Sequence, residues 1–118
     1  MSRTVFGPGT QTLLVDDRPV APLAVARTSR ERRRGLLGTD AVEGALWITR
    51  CPSVHMVGMR YPIDVAVLDR RGLVLLTATL RATWGMTRPR LRASATVECA
   101  VGSLARWGVE PGCTLAIG

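Results

Sequence analysis

The residues best suited to chemistry crowd into one stretch, Cys51 to Asp64. It holds the chain's only His (His55), its only Tyr (Tyr61), two of its four Met (Met56 and Met59), and Cys51, Arg60 and Asp64. Pro52, Gly58 and Pro62 interrupt any regular element there, so the stretch is expected to be a shaped loop delivering side chains to the mouth of a sheet, where binding sites commonly lie. Joined by Trp84 and Glu98, it predicts a cleft lined by His55, Met56, Met59, Arg60, Tyr61, Asp64, Trp84 and Glu98. Methionine and aromatic walls with a few polar groups suit a small polar ligand, such as a sugar or an anion.

Other chemistries for these residues are weaker. A metal site would join Cys51 or His55 to Asp64 and Glu98. In extended chain, however, Cys51 and His55 stand roughly 13 Å apart at about 3.3 Å per residue, whereas each ligand of a zinc ion must come within about 2.0 to 2.3 Å of it. No metal and no cofactor are therefore expected. A nucleophile at Cys51 activated by His55 lacks a third, orienting group and any elbow motif. The plain alternative for His55 is a packed imidazole bonded to backbone. Asp64 precedes an apolar run, where a carboxylate is costly to bury without a partner. It either accepts loop amides or an Arg, with Arg60 the nearest cation, or contacts a ligand. A hydrolytic enzyme with Asp64 or Glu98 as acid or base and His55 assisting is a further reading.

Elements must position this stretch. Thr12–Val15 and Val20–Ala26 read as a hairpin about Asp16–Pro19, with Pro22 suggesting an edge. Thr28 and Glu31 form a capping box that predicts a short helix through Arg32–Arg34 to Leu37, closed by Gly38. It buries little besides Leu36 and Leu37, and its Arg run is expected to be a solvated face. Ala45–Thr49, Pro62–Leu68, Leu73–Leu80, Ser94–Ala100 and Cys113–Ile117 read as further strands, and Val101–Val109 as a helical turn ended by Gly108. Trp84–Arg92 reads as an Arg-rich loop. The architecture expected is mainly β, a β-sandwich, jelly-roll-like or barrel-like single domain with two short helices spanning residues 11–118, behind a flexible N-terminal arm of residues 1–10.

Length and composition agree with one domain: 118 residues, 47% of them apolar, can bury a core. The net charge of +7 comes with sixteen Arg and no Lys or Asn. That bias resembles GC-rich coding, so the charge says little about partners and no specific nucleic-acid binding is expected. The Arg81–Arg92 loop and the short helix suggest a second function, contact with an acidic protein partner. Cys51, Cys99 and Cys113 are an odd set without a close pair and read as reduced, packing thiols. With no leader or membrane-length apolar run, no membrane association and a cytoplasmic location are expected.

His55 to Val65, His-Met-Val-Gly-Met-Arg-Tyr-Pro-Ile-Asp-Val, resembles the hallmark of the domain of unknown function 192 family, a stretch close to His-Thr-Phe-Gly-Met-Arg-Phe-Pro-Ile-Asp-Val. Arg32–Gly38 is similar to that family's Arg-x-x-Gly-Leu-Met/Leu-Gly helix end. Val97-Glu98 with Ala100–Gly112 is similar to its Leu-Glu-x-x-x-Gly, helix, Gly-Val-x-Pro-Gly ending. The resemblance runs from about Leu23 to Ile117 and implies a β-sandwich or jelly-roll-like domain without an assigned activity. Two positions depart from the family's pattern: Cys113 stands where a polar residue usually follows the final Pro-Gly, and Cys99 where Leu is common.

Overall fold

The structure, a computed structural model, describes residues 2–118. Its elements are β1 (Val5–Phe6), β2 (Gln11–Val15), β3 (Arg18–Ala26), α1 (Ser29–Arg34), β4 (Ala41–Val42), β5 (Ala45–Ile48), β6 (Ile63–Leu68), β7 (Val74–Leu80), β8 (Ala95–Cys99), α2 (Ser103–Trp107) and β9 (Leu115–Ile117). Local chemistry explains the connections. Asp16 and Asp17 both take positive φ, 47° and 67°, which gives β2 and β3 a two-residue turn twisted to match the strands. Asp tolerates that backbone better than most residues, and Asp16 Oδ1 also accepts from Thr114 N at 2.9 Å. The β6–β7 turn is held by Asp69 Oδ1, which accepts from Arg71 N at 2.8 Å and Leu73 N at 2.9 Å.

Seven strands form one sheet in the order β7-β6-β8-β5-β3-β2-β9. Every pairing is antiparallel except β3 with β5. Parallel neighbours need a crossover, and α1 lies in it. The sheet curls until its two outer strands touch at one end: Leu73 bridges Thr114, Val74 N donates to Cys113 O at 2.8 Å and Leu115 N to Gly72 O at 2.8 Å. The result is a half-barrel, the barrel-like form of the expected β domain.

Side-chain alternation splits the core in two. Leu13, Val15, Ala66, Leu68, Val97, Cys99 and Leu115 pack on one face with Leu104 of α2. Leu46, Ile48, Ile63, Val65 and Leu80 pack on the other with Leu36, Val54, Met56 and Met59. All residues of β6 and β8 are therefore buried. No helix among the described residues is long and apolar enough to cross a membrane.

Two expectations change. The helix stops at Arg34 because Gly35, φ 49° and ψ −124°, closes it, not Gly38; the capping box is present, with Thr28 N donating to Glu31 Oε1 at 3.0 Å and Glu31 N to Thr28 Oγ1 at 3.1 Å. β3 is an interior strand. Pro22 nevertheless costs no central ladder bond, since the β5 ladder begins only at Leu23. Near the N-terminus, β1 pairs in parallel with β4, flanked by Asp40 N to Thr4 O at 2.7 Å and Glu43 N to Phe6 O at 2.8 Å.

Closure of the curl depends on Gly72, whose φ is 87° and whose missing side chain would overlap the Leu115 carbonyl. Gly72→Ala is expected to lower stability by about 2–4 kcal/mol. Urea denaturation checks this, and an unchanged midpoint would show that the β7–β9 contact contributes little.

Candidate functional site

After β5 the chain turns at Arg50, φ 51°, and Cys51 N donates to Ser94 O at 2.9 Å. The next residues run beside 83–87 as an irregular ribbon. Thr87 N donates to Val54 O at 2.8 Å, Met56 N to Gly85 O at 2.8 Å, and Thr83 N to Met56 O at 3.0 Å; Val54 N donates to Thr87 Oγ1 at 2.8 Å. In this extended run successive side chains point opposite ways. Val54 and Met56 are buried, whereas His55 and Val57 face out.

Between this ribbon and α1 lies a cavity of about 100 Å³, lined by Arg32, Leu36, Ile48, Cys51, Met56, Met59 and Glu98, with Arg33, Arg34 and His55 also at its wall. Glu98 belongs to its floor. Across the sheet it pairs with Leu46 on one side and Val65 on the other, so its side chain shares their face. Gly35 stands over it: a Cβ there would lie 3.7 Å from Glu98 Oε1. Glu98 is only 6% exposed. Its carboxyl has no hydrogen bond or ion pair among the described residues, and burial raises its pKa to about 7.

Cys51 is half-buried and donates from Sγ to Ser53 O at 3.1 Å. Burial chiefly, with the charge of Glu98 adding to it, pushes its thiol pKa up. A nucleophilic thiol needs the opposite shift, so the Cys51–His55 nucleophile reading is not supported. The Thr96 hydroxyl lies close enough to that thiol to oppose part of the shift, yet it is buried without a hydrogen-bond partner of good geometry. The Nε of Arg32 is likewise buried and unpartnered, while its Nη2 donates to Ser29 Oγ at 3.3 Å.

The eight residues singled out from sequence do not form one cleft. His55, Met56, Met59 and Glu98 meet at the cavity. Asp64 faces the other side of the sheet, where Oδ1 accepts from Thr79 Oγ1 at 2.6 Å and Oδ2 from Gly102 N at 2.9 Å. It takes loop amide and hydroxyl partners rather than an Arg. Arg60 pairs instead with Asp40, Nη1 to Oδ1 3.1 Å, at an exposed position. The Tyr61 hydroxyl bonds Thr39 Oγ1 at 2.8 Å, and Trp84 is 84% exposed. Two carboxyls acting on one bond must flank it; Asp64 and Glu98 lie on opposite faces and cannot act as such a pair. Nor do three His, Cys, Asp or Glu residues gather as a metal-holding group among the described residues. Sequence reasoning missed Arg32 and Ile48. Arg32 stands in a run whose neighbours Arg33 and Arg34 are exposed, so residue type alone carried no signal for it.

Two outcomes follow from the two carboxyls. The usual Glu pKa is 4.5 and that of folded Glu98 is about 7. The native state therefore holds its proton after the unfolded chain has released it, and stability present below pH 4.5 is lost as pH rises through 7. Linkage makes the loss about 3 kcal/mol. Glu98→Gln is expected to remove this decline in a pH series of urea denaturation curves; a parallel decline in both proteins would place its cause elsewhere. Asp64→Ala strands the Thr79 hydroxyl and the Gly102 amide, and a loss of about 2–4 kcal/mol is expected by the same measurement.

The comparisons with known proteins agree with this fold. A protein of unknown function from Novosphingobium aromaticivorans is 22% identical and superposes with a TM-score of 0.68 over 98% of this chain and 93% of its own. A protein from Sinorhizobium meliloti, named as a candidate transcription regulator, is 17% identical with a TM-score of 0.71 over 91% of this chain and 92% of its own. At such identities the likeness concerns fold alone. No curated protein matches the chain. The model of DUF192, described as an uncharacterized ACR, matches residues 12–117, and the chain belongs to that family.

Proposed function

We propose that this domain binds a small polar ligand in the cavity between α1 and the 51–59 ribbon. One observation carries the reading: Glu98, a carboxyl almost wholly removed from water, faces an open cavity with no protein partner. Buried polar groups are almost always hydrogen-bonded, and an exception at a cavity is where a ligand is expected to supply the missing bond. The apolar walls from Leu36, Ile48, Met56 and Met59 complete a pocket of the usual kind, mostly hydrophobic with a few polar groups. The binding region is narrower than the stretch His55 to Asp64 and moves towards α1.

Contact with an acidic protein is a second reading, favoured by a separate surface. Trp84, Met86 and Leu91 are 84, 66 and 102% exposed on a loop that also exposes Arg81, Arg88, Arg90 and Arg92. Such a contact would weaken steeply with salt.

Binding in the pocket is expected to raise the melting temperature with at least one compound from a panel of sugars, amino acids and organic acids. Glu98→Gln is expected to abolish that shift while remaining folded. No shift with any of them, or a shift unchanged in Glu98→Gln, would remove the pocket from the function.

A further inference from the structure

Two unsatisfied groups of opposite sense belong to the lining of the same cavity. Glu98 offers a carboxyl that makes no hydrogen bond or ion pair, and Arg32 offers a buried Nε–H with no acceptor. The protein does not pair them with each other. An occupant that satisfies both must bring a donor to one and an acceptor to the other. Resting on the small-ligand reading above, we infer that the occupant is a small zwitterion, an amine-bearing carboxylate whose ammonium group meets Glu98 and whose carboxylate meets Arg32.

Charge excludes simpler occupants. A plain anion would be drawn to Arg32, Arg33 and Arg34 but would bring its charge to a floor made by a desolvated carboxylate. A plain amine would suit Glu98 but would have to enter past those three guanidinium groups. A neutral polyol could bond both groups, yet would leave each charge uncompensated. Charge-assisted hydrogen bonds to both ends are the stronger solution. Size and wall chemistry narrow the class further. About 100 Å³ holds several water-sized groups, enough for a short backbone but not for an aromatic side chain. Leu36, Ile48, Met56 and Met59 favour an aliphatic body between the two charged ends.

Calorimetric titration of the full chain with glycine, alanine, β-alanine and 4-aminobutyrate tests this, because these differ in the spacing of the two charges. Propylamine, propionate, lactate and glycerol serve as the matching controls. One of the amino acids is expected to bind at least thirtyfold more tightly than any control. Its affinity is expected to fall at least tenfold in Glu98→Gln and in Arg32→Lys, which keeps the charge and loses the Nε–H. The methyl signals of Met56 and Met59 are expected to shift on its addition to the wild type, which locates the site even if a variant fails to fold. If lactate equals alanine, or glycerol binds best, with those methyl signals shifting, the zwitterion is overturned and the pocket stands. If no probe binds or moves the signals at millimolar concentration, both the zwitterion and the small-ligand reading fall.

Discussion

A strand covered on both faces gives its polar side chains no route to water except through a gap in the cover. β8 is such a strand. It lies between β5 and β6, with Ala95, Val97 and Cys99 packed on the face of α2. Thr96 and Glu98 are turned towards α1 and the 51–59 ribbon, and both are buried. Whether Glu98 is tolerable depends on how that cover is shaped. The capping box starts α1 at a fixed point, and Gly35 ends it after six residues. Because Gly35 has no side chain, space remains above Glu98 Oε1. A helix carried on to Leu37, as its sequence suggests, would not bring a glycine with this backbone over the carboxyl.

Neighbouring carboxyls meet opposite fates through register. Asp64 sits across from Cys99, and Glu98 across from Val65, one position along the same ladder. That single step places the two side chains on different faces. Asp64 finds a hydroxyl and the amide of Gly102, immediately before α2, so it fixes the entry to that helix. Glu98 finds neither amide nor cation. One carboxyl is thereby a structural anchor, and the other is left without a hydrogen-bond partner among the described residues.

Much of the fold was legible because its signals are local. The capping box at Thr28 and Glu31, the turn after Val15, tighter at Asp16 and Asp17 than the Asp16–Pro19 expected, and the apolar run from Ile63 to Leu68 each act within a few residues. What could not be read is non-local. Alternation in β8 separated Val97 from Glu98, but a polar face of that kind normally meets solvent; only the docking of Leu36, Met56 and Met59 shows that it is covered. β1 and β4, two residues each, carry no period to detect. The site was half legible for the same reason. His55, Met56, Met59 and Glu98 were found by residue type, whereas grouping Asp64 with Glu98 required a register that single-strand patterns do not contain. Arg32 was hidden in a run whose other members, Arg33 and Arg34, are exposed.

Protonation connects the site's chemistry to its shape. Glu98, Cys51 and Tyr61 are all shifted upwards, and in each the largest cause is burial, with the charge of Glu98 adding to the other two. Three neighbouring groups are therefore biased towards their neutral forms, the reverse of what a nucleophilic centre requires. An environment that opposes one buried negative charge also rewards its neutralisation. At neutral pH a proton and an incoming donor compete for the same carboxylate, because the pKa of Glu98 lies about 7. If a cationic group binds there as proposed, it would displace the proton that Glu98 holds part of the time near neutral pH. On the proposed reading, the free carboxyl and the basic rim would together make charge compensation the main control on what occupies the pocket.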